Sequence, residues 1–164
     1  MPTLDPKEYQ AALLELLAQS TTLTLASLDD VQFPDASLAP YLYHEGCFWI
    51  FVSQLSKHTA NLLEREKASV LIHEEVVNPA NPFTLKRASA QCTVEDIREN
   101  KDAILDKMAE RLGATVGLLR QLGDFHLIKL TPQNGQYIAG FGQAFEIDFA
   151  ELELEHINPS KRSS

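Results

Sequence analysis

Residues 53–62 read Ser53-Gln54-Leu55-Ser56-Lys57-His58-Thr59-Ala60-Asn61-Leu62. They join an aromatic, strand-forming run, residues 48–52, to a short helix predicted at residues 59–64. The first N–H groups of a helix lack intrahelical partners and lie at the positive end of its dipole. With Ser56 as N-cap, this junction suits an anionic group such as a phosphate or a propionate. The alternative is that Ser56 only caps the helix while Lys57 and His58 are solvated, and spacing alone favours this alternative.

Composition limits the class of protein. The chain has 164 residues, 45% of them hydrophobic and 23% charged, which is typical of a single globular domain. We expect one barrel domain over residues 1–150 and a short C-terminal tail over 151–164. The formal net charge of −9 argues against nucleic acid as a partner. The longest apolar run is too short for a membrane span and the N-terminus does not resemble a signal peptide, so the sequence predicts no membrane association and a cytoplasmic location.

The order of the elements indicates a small antiparallel β-barrel. Asp5-Pro6-Lys7-Glu8 predicts a helix start, and this helix is expected to end near Gln19. Six or seven short strands follow, together with the short helix and a further helix predicted at residues 97–112. We predict separate strands at residues 125–130 and 136–141, joined by a turn at 132–135, and expect residues 144–149 to extend the second strand beyond a bend at Gly142. This pattern fits a barrel better than an alternating βαβ sheet.

Three further positions are candidates for ligand chemistry. Arg87, in a strand, can bind a carboxylate or phosphate through two hydrogen bonds, although a solvated outward position is equally consistent with its type. Asp124 precedes a strand and is either a turn residue or an acid that orients a histidine. His156 is either a solvated tail residue or an axial ligand of haem iron. The five histidines have no spacing typical of a zinc site.

Taken in order, the motifs resemble those of a known family over roughly residues 5–158. They are Ser37-Leu38-Ala39-Pro40, Ser53-x-Leu55-x-x-His58-Thr59-x-Asn61-Leu62, Ala68-Ser69-Val70-Leu71-Ile72, Gly123-Asp124-Phe125, Gly140-Phe141-Gly142-Gln143-Ala144 and Glu155-His156-Ile157-Asn158. This set resembles the HugZ/HutZ haem-utilisation proteins, a branch of the pyridoxamine 5′-phosphate oxidase-like, FMN-binding split-barrel superfamily. The resemblance implies a mainly β fold, a six-stranded antiparallel split β-barrel with peripheral helices. It also implies a homodimer with its ligand sites at the subunit interface.

The resemblance also implies roles for individual residues. In flavin-binding relatives the FMN phosphate is held at the positions of Ser53, Ser56, Lys57, His58 and Arg87. In haem-degrading relatives a histidine of the C-terminal segment ligates iron, which here would be His156. Asp124 would then be the catalytic acid near that histidine, from the same or the other subunit.

Three functions follow from this resemblance. The first is oxidative cleavage of haem with O₂ and an external reductant, in which Arg87 with Lys57 or His58 would pair with the propionates. The second is an FMN-dependent oxidoreductase that uses the junction for the phosphate. The third is a non-catalytic regulatory protein that binds haem or flavin.

Overall fold

The computed structural model describes residues 5–158. Its helices are α1 (Pro6–Gln19), α2 (Lys57–Arg65), α3 (Asp102–Leu112) and α4 (Thr115–Leu119). Its strands are β1 (Thr22–Leu28), β2 (Pro34–His44), β3 (Cys47–Ser53), β4 (Lys67–His73), β5 (Arg87–Ile97), β6 (Phe125–Gly140), β7 (Gln143–Asp148) and β8 (Glu153–His156). A short 3₁₀ turn at Pro82–Thr84 precedes β5. Within these residues, no helix is both long and apolar enough to cross a bilayer.

Six strands form a closed barrel, which confirms the expected fold class. The strands lie in the order β3-β2-β1-β4-β5-β6, every neighbouring pair is antiparallel, and pairing of β3 with β6 closes the ring. The sheet continues beyond β6 into β7 and β8, so β8 falls within the expected tail and residues 159–164 of that tail lie outside the described range. Closure leaves one inward face, where β-branched, leucine and aromatic side chains form the main core.

The helices cover the barrel in two places. Helix α1 begins with the predicted capping box of Asp5 and Glu8 and buries one face against the main core. Helices α3 and α4 cover the outer face of β3 and β6, where Trp49, Met108 and Leu127 belong to a second core. Strand β3 is therefore apolar on both faces, which explains the continuous apolar run from Cys47 to Val52.

The predicted break at residues 132–135 was wrong, because β6 is one continuous strand. At this point the register of β5 against β6 shifts between Ala90 and Cys92. A Cβ added to Gly135 would lie 1.9 Å from the carbonyl oxygen of Ser89. Gly135 is therefore required for close contact between two strands, a role that glycine also has outside hairpin turns.

Two other boundaries also differ from expectation. The helix predicted at residues 97–112 begins at Asp102, because Ile97 is the last residue of β5 and pairs with Leu127. Residues 144–149 do not extend β6. They belong mainly to β7, which turns back antiparallel to β6 through Gly142, whose φ is +72°.

Candidate functional site

The junction, residues 53–62, lies at one end of the barrel and connects β3 to the first turns of α2. The hydroxyl of Thr59 donates a 2.6 Å hydrogen bond to the carbonyl oxygen of Ser53. The hydroxyl of Ser53 accepts a hydrogen bond of 3.2 Å from the amide of Leu55. Ser56 has the extended backbone of an N-cap, but its side chain makes no capping hydrogen bond. The turn is thus ordered by Ser53 and Thr59, and the Ser56 hydroxyl at the start of α2 is not used for capping.

Lys57 is neutralised by the hairpin that joins β1 and β2. Its Nζ lies 3.4 Å from Oδ1 of Asp35 and 3.8 Å from Oδ2 of Asp29. Asp29 also accepts from the amides of Val31 and Phe33, so it fixes the hairpin turn as well. One ammonium group against two carboxylates leaves this cluster with a net negative charge.

His58 is half-buried and is neutral near pH 7. Its Nδ1 lies 2.9 Å from the hydroxyl oxygen of Ser37 on β2. Burial lowers the pKa of the imidazole below its ordinary value of 6.5, and the negative charge of Asp35 opposes this effect. The other ring nitrogen, Nε2, is buried and has no hydrogen-bond partner among residues 5–158.

Asp124 lies beside the junction. Its backbone carbonyl oxygen accepts a 2.7 Å hydrogen bond from the amide of Gln54, and the next residue, Phe125, pairs with Ser53. The Oδ1 atom of Asp124 is buried without a partner in the described part of the chain. An unsatisfied buried polar atom costs roughly 1–3 kcal/mol, so Asp124 and His58 each have an atom that a ligand or a second subunit would satisfy.

Arg87 and His156 lie at the other end of the sheet. We call this region the hairpin end, and it consists of Arg87, His156 and the β6–β7 turn at residues 140–142. Arg87 is the first residue of β5 and pairs with Ile138, near the end of β6 that is remote from Asp124. Its Nη1 donates a 3.0 Å hydrogen bond to the carbonyl oxygen of Leu85, and it forms no ion pair with any described acid.

His156 is exposed at the end of the edge strand β8. Its ring lies 5.3 Å from the ring of Phe145, and its Nε2 lies 3.3 Å from the carbonyl oxygen of Gly142. Directly opposed strand residues share a face and successive residues alternate. Arg87 is opposite Ile138, whereas His156 is opposite Phe145 and hence level with Tyr137. Arg87 and His156 therefore project from opposite faces of the sheet.

The structure thus divides the candidate residues into two groups. It brings together Ser53, Ser56, Lys57, His58 and Asp124, and within one chain it places Arg87 and His156 elsewhere. Sequence reasoning missed the partners of the junction, Asp29, Asp35 and Ser37. The acidic turn before β2 was a visible signal, but its proximity to α2 depends on how the barrel closes.

Sequence reasoning also missed a histidine–carboxylate pair, His126 and Asp96, near the junction. His126 pairs with Val52 in the β3–β6 ladder, one position from Ser53, and its Nδ1 lies 3.3 Å from the carboxylate of Asp96 on β5. No sequence motif links these two residues, since thirty positions separate them. Only the pairing of β5 with β6 brings them together.

The comparisons with known proteins agree with this architecture. The pyridoxamine 5′-phosphate oxidase family model matches residues 9–139. Haem oxygenase HutZ of Vibrio cholerae is 28% identical over 151 residues, which cover 87% of this chain and 86% of HutZ. The crystal structure of that protein, described as a haem storage protein, has a TM-score of 0.70 at 25% identity and covers 75% of this chain and 89% of the solved one.

A further solved structure, ChuZ of Campylobacter jejuni, has a TM-score of 0.86 at 23% identity and covers 96% of this chain. This chain spans 65% of the length of ChuZ. At that identity the likeness establishes the fold, and the family match covers most of the chain. The resemblance to the HugZ/HutZ proteins indicated by the motifs is confirmed by the similarity to HutZ and ChuZ. The protein therefore belongs to the pyridoxamine 5′-phosphate oxidase family.

Proposed function

We propose that this protein binds haem at a site completed by a second copy of the chain and cleaves it oxidatively with O₂ and an external reductant. The observation that carries the proposal is the pair of unsatisfied buried atoms, Nε2 of His58 and Oδ1 of Asp124, beside a junction whose one cation, Lys57, is already neutralised. The 28% identity to a protein named haem oxygenase, over most of both chains, supports haem as the ligand.

The separation of the candidate residues supports a shared site. Within one chain, Asp124 and His156 lie at opposite ends of the sheet. A site that contains both residues therefore needs two chains. A groove of about 570 Å³ crosses the outer face of β1, β4 and β5. In the adjoining part of the sheet, Leu38 of β2 and Leu71 of β4, 65% and 37% exposed, lie on either side of Thr24 of β1 in one row of the ladder. Apolar side chains grouped on an exposed sheet face are typical of a subunit interface.

Each of the two candidate residues of the hairpin end fits haem better than the junction does, and because they project from opposite faces of the sheet, a single haem that contacts both needs two chains. His156 offers an exposed imidazole, and bound haem would supply the iron chemistry. The Gly142 carbonyl can only accept a hydrogen bond, so Nε2 carries the proton in this arrangement and the lone pair of the neutral ring lies on Nδ1. Arg87 has no carboxylate partner among the described acids and is the better cation for a propionate, whereas Lys57 already contacts two carboxylates.

FMN remains the second candidate. The amides of Lys57 and His58 at the start of α2, and the Ser56 hydroxyl, have no acceptor or donor partner within residues 5–158, an arrangement typical of phosphate sites. The net negative charge of Lys57, Asp29 and Asp35, together with a neutral His58, opposes a phosphate dianion at that position. On charge, therefore, haem is favoured.

The test is a spectroscopic titration of the purified protein with haemin and, separately, with FMN. We expect a Soret band that saturates at one haem per chain and is lost in His156→Ala, with a decrease in affinity of more than about a hundredfold, since even outer-shell changes at metal sites cost 10–100-fold. His44→Ala, in the β2–β3 turn region, is the matched control and should bind as wild type.

Addition of ascorbate and O₂ then separates catalysis from storage. Bleaching of the Soret band supports cleavage, and a stable band supports a non-catalytic haem-binding protein, the role consistent with the storage description of the HutZ structure. Tight FMN binding without a haem band, or an unchanged titration in His156→Ala, would reject the proposal.

A further inference from the structure

A cavity of about 340 Å³ lies away from the junction and from the hairpin end. It lies between helices α3 and α4 on one side and the first strands of the barrel on the other, and it is open to solvent near the exposed residues Arg111 and Thr115. Its walls are mainly apolar and include Pro40 of β2, Phe51 of β3, Met108 of α3 and Leu119 of α4. Volumes of this order are at the lower end of those found for small-molecule sites.

One cation lines this apolar cavity. Nη2 of Arg111 donates to the carbonyl oxygens of Ala18, at 2.7 Å, and Gln19. These bonds cap the last turn of α1, which contains no basic residue of its own. The Nη1 and Nε groups of Arg111 make no hydrogen bond or ion pair with any residue from 5 to 158. Part of the guanidinium is structural, and the rest is available to an anion.

Three hydroxyl groups line the same cavity, those of Thr21, Thr22 and Thr115. None of them forms a side-chain hydrogen bond within the described residues. The cavity thus combines apolar walls with unused hydrogen-bond donors and one cation. A ligand that matches this combination has an aliphatic body and a single anionic head.

We propose that this cavity is a binding site for a medium-chain aliphatic monocarboxylate, with the carboxylate on the unused guanidinium edge of Arg111 and the chain against Phe51 and Met108. At roughly 30 Å³ for each group the size of a water molecule, the volume holds on the order of ten such groups, which is the size of octanoate. This inference does not depend on the proposed haem site, since the cavity shares no residue with it.

Methyl NMR of methionine provides a direct test on the wild-type protein. The chain has two methionines, Met1 and Met108, so selective ¹³C-methyl labelling gives two signals, and Met108→Leu assigns the one from the cavity. We expect a saturable shift of the Met108 signal with octanoate and about tenfold weaker binding of 1-octanol, which lacks the charge. Absence of a saturable shift with octanoate, or equal affinity for octanol, would overturn the proposal.

Variants of α3 test the role assigned to Arg111. Arg111→Gln should weaken octanoate binding about tenfold and leave octanol binding unchanged. Lys107→Gln removes the same charge from an exposed position of the same helix, outside the cavity, and should bind octanoate as wild type. Because Arg111 also caps α1, the octanol titration of the variant reports whether the cavity is intact. If Arg111→Gln binds octanoate as tightly as Lys107→Gln does, the carboxylate is not bound by Arg111.

Discussion

The junction and the hairpin end differ in how far their polar groups are already satisfied within the chain. At the junction, Lys57, Ser53 and Thr59 have partners, and among residues 5–158 only single atoms of His58 and Asp124 there remain unsatisfied and buried. At the hairpin end, the one hydrogen bond of Arg87 to the described part of the chain is to a backbone carbonyl, and His156 is exposed. The junction is therefore suited to orient and support a ligand group, and the hairpin end is suited to contact the ligand directly.

The largest expected effect comes from mixing two defective chains. If one site takes Asp124 from one subunit and His156 from the other, Asp124→Ala and His156→Ala homodimers each lack a component in both sites. A mixed dimer has one intact site and one that lacks both residues. Co-refolding of equal amounts should therefore restore about a quarter of the wild-type haem bleaching, since about half of the dimers are mixed and each has one of two sites.

The control for this mixture is each variant taken through the same refolding alone. If the mixture bleaches haem no faster than the two controls, then either one chain supplies both residues to a site or one of the two residues is not part of the site. Analytical ultracentrifugation of the wild type, run in parallel, measures the dimer on which this result depends.

The separation of the two ends depends on β6, which connects them. Gly135→Ala would place a Cβ within 1.9 Å of the Ser89 carbonyl oxygen, so the β5–β6 ladder must shift. We expect a loss of about 1–3 kcal/mol in the free energy of unfolding, measured in urea. Gly117→Ala is the matched control, because no atom lies within 4 Å of its added Cβ, and it should be neutral or slightly stabilising. Equal stability of the two variants would contradict the tight contact.

More of the fold than of the site could be predicted from the sequence, because local sequence signals specify the helices whereas contacts between distant residues specify the site. Helix α1 follows from the local capping signals of Asp5 and Glu8, and α2 from the aromatic strand and short polar turn before it. The continuity of β6 was not predictable, because Asn134-Gly135 is also a hairpin signal and only the neighbouring Ser89 carbonyl shows why glycine is needed.

The arrangement of the site is a property of barrel closure. The position of Asp124 beside Gln54 results from pairing of β3 with β6, and the neutralisation of Lys57 results from the β1–β2 hairpin folding against α2. Neither contact is local in sequence. The sequence therefore places the polar residues of the junction near one another, because they are consecutive in the chain, whereas their charge balance depends on contacts that only the structure reveals.

Removing one cation from each end, Arg87 from the hairpin end and Lys57 from the junction, should change haem affinity by different and smaller amounts. Arg87→Gln should weaken haem binding about tenfold, the order expected when a hydrogen bond to a charged group is lost. Lys57→Gln should leave haem affinity unchanged and alter the free energy of unfolding by less than about 1 kcal/mol, because its side chain is 62% exposed. Parallel haemin titrations of the two variants measure the difference. Equal losses of affinity would show that both ends contact the propionates.

The smallest expected effect is a pH dependence of stability that originates from His58. Burial lowers its pKa in the folded state, with Asp35 opposing, so between that lowered pKa and 6.5 the unfolded chain binds more protons than the folded one. The contribution of His58 to stability is therefore fully present above pH 6.5 and decreases as the pH falls towards the folded pKa. Urea midpoints at pH 7.5 and 5.5 should differ more for wild type than for His58→Gln, which keeps a polar group near Ser37 and cannot titrate. An equal pH dependence in both proteins would mean that burial at the junction does not lower the pKa of His58.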